Sequence, residues 1–170
     1  MTSTSNDTRR RETQIVADPD LPLVRIIREF DAPPEKVFRA HTDPELVAQW
    51  LGPNGMQNRI DEWDCRNGGS WRYVAMRDGE EYGFRGCFHE VRPNELIVQT
   101  FTFEGFPEGV ALEKLVLEDL GNGRTRLTAT SLVDSFEGRD AFVASGMEVG
   151  VNEGYAKLDE LLARPGDGPR

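Results

Sequence analysis

The segment from about residue 138 to residue 164 places the strongest constraint on the fold of this chain. Its apolar residues recur with the 100° rotation per residue of an α-helix. One side of that helix carries Val143, Met147, Val151, Leu158, Leu161 and Leu162. The other side carries Glu148, Asn152, Asp159 and Glu160. The pattern predicts one long amphipathic helix, whose apolar side must be buried against another layer of structure.

Three glycines recur every four residues within this segment, at Gly146, Gly150 and Gly154. Each costs roughly 1 kcal/mol relative to alanine in a helix interior. One interpretation is that they allow the helix to pack closely against a sheet, and the helix pattern alone favours it. The other is that the helix covers a cavity, where missing side chains and the flexible Met147 leave space for a ligand.

Length and charge limit the classes of function. A chain of 170 residues is long enough for one domain with a sizeable core, and one domain is expected. Lys and Arg number 20 against 30 Asp and Glu, a formal net charge of -10, which disfavours binding to nucleic acid or to an anionic membrane. Because the sequence has no run of 18 apolar residues, no secretory signal and no CxxC motif, we expect a cytoplasmic protein with reduced thiols.

The first half of the chain begins with a polar, aperiodic stretch. Residues 1–20 are interpreted as a flexible arm, followed by a first strand at Leu23–Phe30. Prolines at Pro34 and Pro44 then mark the first turns of two short helices, because proline is tolerated where the helical N–H has no partner. The domain is expected to span residues 21–164, with 165–170 as a disordered tail.

The middle of the chain, from residue 56 to residue 134, consists of β-rich runs separated by turns. Five turn signals predict six further strands, at about 57–65, 70–76, 82–91, 96–103, 110–119 and 124–133. Short connections make neighbouring strands antiparallel. The predicted fold is therefore α+β: a seven-stranded antiparallel sheet curled around the C-terminal helix, with two short helices between strands 1 and 2.

Alternation along the strands predicts which residues face the helix. Trp71 and Tyr73 alternate with Arg72, and Leu115 and Leu117 alternate with Lys114 and Glu118. On the predicted strand at 96–103 the pattern favours Phe101 and Phe103 as inward-facing residues. On the predicted strand at 82–91, His89 shares the outward face of Arg85, whereas Glu90 shares the face of Phe88.

Five motifs in this order resemble the START-like superfamily, also called SRPBCC or polyketide cyclase/dehydrase-like. They are FDAPPEKVF (30–38), TDPE with WLGP (42–45 and 50–53), GGSW (68–71), GCFHEV (86–91), and GM with YAKLD (146–147 and 155–159). Within that superfamily the chain is most similar to the AHSA-type branch, named after a co-chaperone that activates a heat-shock chaperone's ATPase. The resemblance implies a helix-grip fold over about residues 22–163 and a pocket of unspecified contents. Where many members have two tryptophans before Gly-Pro, this chain has Trp50-Leu51, which implies a more aliphatic pocket there.

No catalytic or metal-binding constellation is recognisable. The two histidines, His41 and His89, do not occur in any zinc-binding spacing, and no phosphate-binding loop is present. Glu90 is more simply explained as a carboxylate that hydrogen-bonds turn backbone than as an acid or base. We therefore predict no catalytic residue, no metal and no cofactor.

The predicted cavity lies between the curled sheet and the C-terminal helix. Its expected lining is Trp50, Trp71, Tyr73, Phe84, Phe88, Phe101, Leu115, Leu117, Met147, Val151 and Tyr155. Tyr73 and Tyr155 would contribute hydroxyl groups that orient a ligand, because tyrosine carries a polar group on a rigid apolar body.

These features favour a domain that binds a small hydrophobic or aromatic molecule without transforming it. Two alternatives stay open. The same pocket could belong to a cyclase or hydrolase in which Tyr73, Tyr155 or Glu90 moves protons. The domain could instead act on a protein partner, as the co-chaperone name suggests. Neither nucleic acid nor membrane is expected as a partner, and a homodimer or a chaperone partner is left open.

Overall fold

The structure is a computed structural model and describes residues 12–165. Eight strands and four helices follow one another along this part of the chain. The strands are β1 (Gln14–Ala17), β2 (Leu23–Phe30), β3 (Gln57–Trp63), β4 (Ser70–Arg77), β5 (Glu80–Arg92), β6 (Leu96–Phe103), β7 (Ala111–Gly121) and β8 (Arg124–Leu132). The helices are α1 (Pro34–Thr42), α2 (Pro44–Trp50), α3 (Phe136–Ala144) and α4 (Met147–Ala163).

All eight strands form one sheet in the order β1-β2-β8-β7-β6-β5-β4-β3. Every pairing is antiparallel, as the short turns predicted. Helices α1 and α2 lie between β2 and β3 in sequence, and α4 ends the described chain. This arrangement confirms the predicted α+β class, and its antiparallel sheet with a C-terminal helix fits the helix-grip fold.

The predicted number of strands was wrong, because the sheet has eight and not seven. The additional strand, Gln14–Ala17, lies within the stretch interpreted as a flexible arm and pairs with β2 from Gln14↔Ile27 to Ala17↔Val24. Only four residues long and largely exposed, it has too short an alternation to be recognised as a strand. Its pairing supplies the edge of β2 with hydrogen-bond partners. The predictions for residues 1–11 and 166–170 lie outside the described residues.

The single C-terminal helix predicted from the hydrophobic stripe is in fact two helices. Helix α3 begins after Ser135, whose hydroxyl accepts a hydrogen bond from the Gly138 backbone N–H at 3.0 Å. It ends at Ala144, and α4 begins after Gly146, whose φ of 87° is left-handed. Because a helix cannot continue through that backbone conformation, Gly146 separates the two helices instead of lying inside one.

Two groups of buried side chains fill the space between the sheet and the helices. The first joins α4 to α1, α2 and the strands β2, β7 and β8, and includes Phe30, Val37, Trp50, Leu117, Leu127, Tyr155 and Leu158. The second covers β4, β5 and β6, and includes Trp71, Tyr73, Ala75, Phe88 and Ile97. Leu115 packs at the edge of both groups, so the boundary between them crosses the middle of the sheet.

Helix α4 is also held by polar contacts. Arg28 on β2 is buried and pairs through two nitrogens with Asp159 on α4, one of them at 3.1 Å. The Lys36 ammonium on α1 donates to the Leu162 carbonyl at 2.6 Å, near the C-terminal end of α4, where a cation is favoured. Residues 12–165 include no helix with the length and apolar character that crossing a membrane requires.

Candidate functional site

A cavity of about 350 Å³ lies where the two buried groups of side chains meet. The inner face of the sheet forms its floor, the end of α2 forms one wall, and the N-terminal half of α4 covers it. Most of its lining is apolar or aromatic: Ile26, Val47, Trp50, Leu51, Trp63, Trp71, Tyr73, Ile97, Phe101, Leu115, Ala129, Met147, Val151 and Tyr155. Cavities with such a lining and a small number of polar groups are typical of small-molecule sites.

Strand alternation places the floor residues, because every second side chain of a strand points to the same face. Trp71 and Tyr73 come from β4, and Ile97 and Phe101 come from β6. The Trp71 and Tyr73 rings stack with centroids 5.7 Å apart. Phe101 lies at the same distance from Trp71. One side of the cavity is therefore a continuous aromatic surface.

Two further tryptophans are fixed by hydrogen bonds from their indole nitrogens. Trp50, the last residue of α2, donates to the Ala40 carbonyl at 2.8 Å. Trp63, at the end of β3, donates to the Thr42 carbonyl at 2.7 Å. Because both acceptors are in α1, these bonds join the short helices and the sheet edge into a rigid wall.

Eight of the eleven residues predicted to line the cavity do so: Trp50, Trp71, Tyr73, Phe101, Leu115, Met147, Val151 and Tyr155. The structure places the other three outside this lining. Phe84 packs behind the floor, against the rings of Tyr73 and Phe101 at 5.1 and 5.4 Å. Phe88 is buried beneath Trp63, and Leu117 belongs to the core around α4. All three side chains lie on the inward face of the sheet, as predicted. Strand alternation cannot show, however, where along that face the cavity lies.

The inward face of β6 is clear at one end only. Ile97, Gln99 and Phe101 line the cavity. These residues alternate along the strand, and the inward face predicted for Phe101 is the one that they share. Phe103, expected inward on the same parity, is 39% exposed and packs with Phe84 at the end of the strand. The chain turns immediately after Phe103, so little structure remains to cover it.

Gly150 and Gly154 agree with both interpretations of the glycine pattern. A Cβ atom at Gly154 would lie 3.2 Å from the Trp50 carbonyl oxygen, and one at Gly150 would lie 3.5 Å from Cδ of Pro53. Helix α4 therefore packs closely at Gly154, although against the end of α2 and the loop that follows it and not against the sheet. The same two glycines line the cavity, where a larger side chain would reduce its volume.

Glu113 on β7 is the principal residue that the sequence interpretation missed. It lines the cavity, and its Oε1 accepts a hydrogen bond from Nε2 of Gln99 at 3.0 Å. Burial raises the pKa of Glu113 to about 7, although hydrogen bonds from Gln99 and Ser131 oppose that rise. The signal was present in the sequence, since Glu113 has the inward parity of Leu115 and Leu117.

His41 also lines the cavity and can titrate, although the sequence interpretation gave it no role. Its Nδ1 is 2.8 Å from the Val37 carbonyl, and its ring lies edge-on to Trp50 at 4.9 Å. Burial lowers the pKa of His41 to about 4, so the imidazole is neutral near pH 7. Nδ1 then donates to Val37, which leaves Nε2 as an acceptor.

One polar group of the cavity lining is buried without a hydrogen-bond partner: within residues 12–165, Nε1 of Trp71 has no acceptor. Burial raises the pKa of both Tyr73 and Tyr155. Their hydroxyls therefore stay protonated, and each can donate to a ligand or accept from one.

The remaining sequence candidates lie away from the cavity. His89 is exposed, and Glu90 makes a surface contact with Arg92 at 3.3 Å. A register irregularity between Phe88 and Glu90 interrupts the alternation there. In the part of the chain that the structure describes, no group of three or more His, Cys, Asp or Glu side chains is arranged to hold a metal ion.

The sequence profile of one family matches residues 31–163, which is most of the chain. It is described as activator of Hsp90 ATPase homolog 1-like protein. The chain therefore belongs to this family, a branch of the START-like superfamily, as the five motifs indicated. No functionally curated protein matches the chain.

Many solved structures share this fold. The crystal structure of CV1439 from Chromobacterium violaceum is 28% identical with a TM-score of 0.74, over 84% of this chain and 99% of that one. A Rhodobacter sphaeroides protein is 29% identical with a TM-score of 0.79, over 89% and 98% of the two chains. The AHSA1 protein from Silicibacter pomeroyi, at 24% identity and a TM-score of 0.69 over 83% and 97%, shares the fold.

Proposed function

We propose that this protein binds a small hydrophobic or aromatic molecule in the cavity between the sheet and α4, without transforming it. The observation that carries the proposal is the cavity itself, with its volume of about 350 Å³ and its aromatic and aliphatic lining. That volume lies within the range of known small-molecule sites, about 300 to 1,000 Å³. Burial of apolar ligand surface would supply most of the binding free energy, at roughly 25 cal/mol per Å².

The polar groups of the lining support binding of one oriented molecule. Trp71 Nε1 is a buried donor without an acceptor among residues 12–165, and the hydroxyls of Tyr73 and Tyr155 can both donate and accept. A buried polar group without a partner is energetically costly. A ligand that satisfies these groups would be favoured over a purely apolar one.

A fluorescence titration with N-phenyl-1-naphthylamine, an uncharged apolar probe, tests the proposal. We expect saturable binding with a blue-shifted emission in the wild type. Met147→Trp, which fills the cavity from α4, should weaken binding at least tenfold. Val149→Trp is the matched control, because Val149 lies two residues further along α4 and is 57% exposed. Equal binding by both variants, or none by the wild type, would contradict the proposal.

An enzyme of the cyclase or hydrolase type is a second candidate, and Glu113 is the observation that favours it. A carboxyl group with a pKa of about 7 in an apolar cavity is suited to accept or donate a proton near neutral pH. Release of a chemically altered molecule, after incubation with a compound that the protein binds, would favour this candidate. Recovery of the compound unchanged would favour simple binding.

An interaction with a protein is a third candidate, suggested by the name of the family. The observation in its favour is the exposed apolar surface of Phe106, Val110 and Leu112, at and after the turn between β6 and β7. Stimulation of the ATPase activity of purified Hsp90 by the wild type, and its loss in Phe106→Ser, would support a chaperone partner.

A further inference from the structure

We propose that Glu113 anchors the ligand and selects an aromatic or hydrophobic molecule that carries a protonated amine. This inference deepens the proposed function and rests on it. It concerns the polar part of the site, and it names the chemical class of the ligand as an apolar organic cation.

The first step of the argument is the position of Glu113. It stands on β7 next to Leu115 on the same face, and opposite Ser131 on the neighbouring strand β8. Gln99, from β6 on the other side, donates to its Oε1. The carboxyl group on the cavity floor is thus hydrogen-bonded by Gln99 from β6 and flanked by Ser131 from β8.

The second step is the charge around this carboxylate. No Lys, Arg or His nitrogen of residues 12–165 forms an ion pair with Glu113 within 4.0 Å. Arg28 is engaged by Asp159, and His41 is neutral. Lys114 also borders the cavity, but it is exposed, has the opposite strand parity to Glu113 and forms no ion pair with it. The other polar groups of the lining are uncharged: Gln99, Thr130, Ser131, Tyr73 and Tyr155. Among residues 12–165, the carboxylate therefore has a hydrogen-bond donor but no ion-pair partner.

The third step is the chemistry that would complete the site. A ligand ammonium group donates hydrogen bonds to the carboxylate and neutralises its charge, which a hydroxyl group cannot do. The rings of Trp71 and Tyr73, elsewhere on the cavity lining, offer apolar surface to the body of such a ligand. An anionic ligand would face an uncompensated like charge in an apolar cavity and is disfavoured. A small amine with an apolar body therefore fits the cavity better than an alcohol or an acid of the same shape.

The test compares three probes that share one apolar body: 2-naphthylmethylamine, 2-naphthylmethanol and 2-naphthylacetate. Their affinities are measured by isothermal titration calorimetry at pH 8 and pH 6. At pH 8 we expect the amine to bind at least tenfold more tightly than the alcohol, and the acetate to bind most weakly. The preference for the amine should fall about tenfold at pH 6, because the ionised fraction of Glu113 falls by about that factor around a pKa of about 7.

Glu113→Gln should abolish the preference for the amine while the alcohol still binds, which shows that the variant's cavity is intact. Glu118→Gln is the matched control, because it removes the same charge from the outer face of the same strand, where the Glu118 side chain is 60% exposed. If the amine and the alcohol bind alike at pH 8, or if the preference survives in Glu113→Gln, this inference is wrong and the proposed function stands. If the wild type binds neither amine nor alcohol, both are wrong.

Discussion

Two titratable side chains of the cavity have pKa values shifted by burial in opposite senses. The pKa of Glu113 is raised from 4.5 to about 7, and that of His41 is lowered from 6.5 to about 4. In both cases the neutral form is favoured, because a buried charge loses its hydration. Each group should therefore make the stability of the fold depend on pH, and the two dependences should oppose each other between about pH 4 and pH 7.

We predict that Glu113→Gln stabilises the protein at high pH but not at low pH. The folded state holds the Glu113 proton more tightly than the unfolded state, so its stabilising contribution is complete below about pH 4.5 and is lost as pH rises to about 7. The loss is about 3 kcal/mol. In urea unfolding experiments, the free energy of unfolding of the variant minus that of the wild type should increase by about this amount from pH 4 to pH 8. A constant difference between the two pH values, as expected for Glu118→Gln, would contradict the assignment.

The opposite dependence is expected for His41. Its folded pKa is lowered, so its stabilising contribution is complete above about pH 6.5 and is lost as pH falls to about 4. His41→Asn keeps a side-chain donor for the Val37 carbonyl and removes the titration. The variant should lose less stability than the wild type on acidification from pH 7 to pH 4, by about 3 kcal/mol. The exposed His89→Asn serves as control, and a wild-type response in His41→Asn would show that His41 is not held neutral.

At the scale of elements, α4 brings the cavity cover and the core together. Its N-terminal half carries Met147 and Val151 over the cavity, and its C-terminal half carries the buried Leu158 and Leu162. Three glycines serve this helix in different ways. Gly146 ends the preceding turn in a left-handed conformation, Gly150 is loosely packed beside Pro53, and Gly154 touches backbone.

Alanine substitutions at the three glycines should therefore differ in sign. Gly150→Ala should stabilise the protein by about 0.5 to 1 kcal/mol, because alanine is the better helix former and its Cβ has room. Gly154→Ala should not stabilise it, since the new Cβ meets the Trp50 carbonyl at 3.2 Å. Gly146→Ala should destabilise it by about 1 kcal/mol, because its φ is left-handed. The three stabilities are measured by chemical denaturation. Equal stabilisation by all three substitutions would indicate one continuous helix in which none of the three glycines is closely packed.

The elements also show what the sequence could predict. Turn residues and alternation identified seven strands and the two short helices, because each leaves a local pattern of proline, glycine or period-two apolar residues. The break at Gly146 left no such pattern, since the hydrophobic stripe continues through it from Val143 to Met147. Strand β1 depends on the edge of β2, which is a tertiary feature that four residues cannot reveal.

The same limit applies to the candidate site. Alternation correctly predicted that Trp71, Tyr73 and Leu115 face the cavity. The same alternation also indicates that Glu113 faces inward, because it lies two residues before Leu115. The sequence could not show that Glu113 forms no ion pair within residues 12–165, because that depends on strands and helices far apart in the chain. It also could not separate Leu115, which lines the cavity, from Leu117, which packs in the core two residues further on.

At the scale of the whole molecule, the sheet and α4 border a space that the side chains do not fill. Its cover comes from the last helix, its walls from α1, α2 and the end of β3, and its floor from β4, β6, β7 and β8. Segments from nearly the full length of the described chain must therefore be in place before the cavity exists. An occupant that binds only this folded form would stabilise the whole domain.

Native mass spectrometry of the protein, after exposure to cell extract and buffer exchange, tests the central claim most directly. We predict a reproducible additional mass of a few hundred daltons on the wild type and on Val149→Trp, and its loss on Met147→Trp. The bare chain mass in all three proteins, or an adduct that Met147→Trp retains, would contradict the claim that this cavity holds a small molecule.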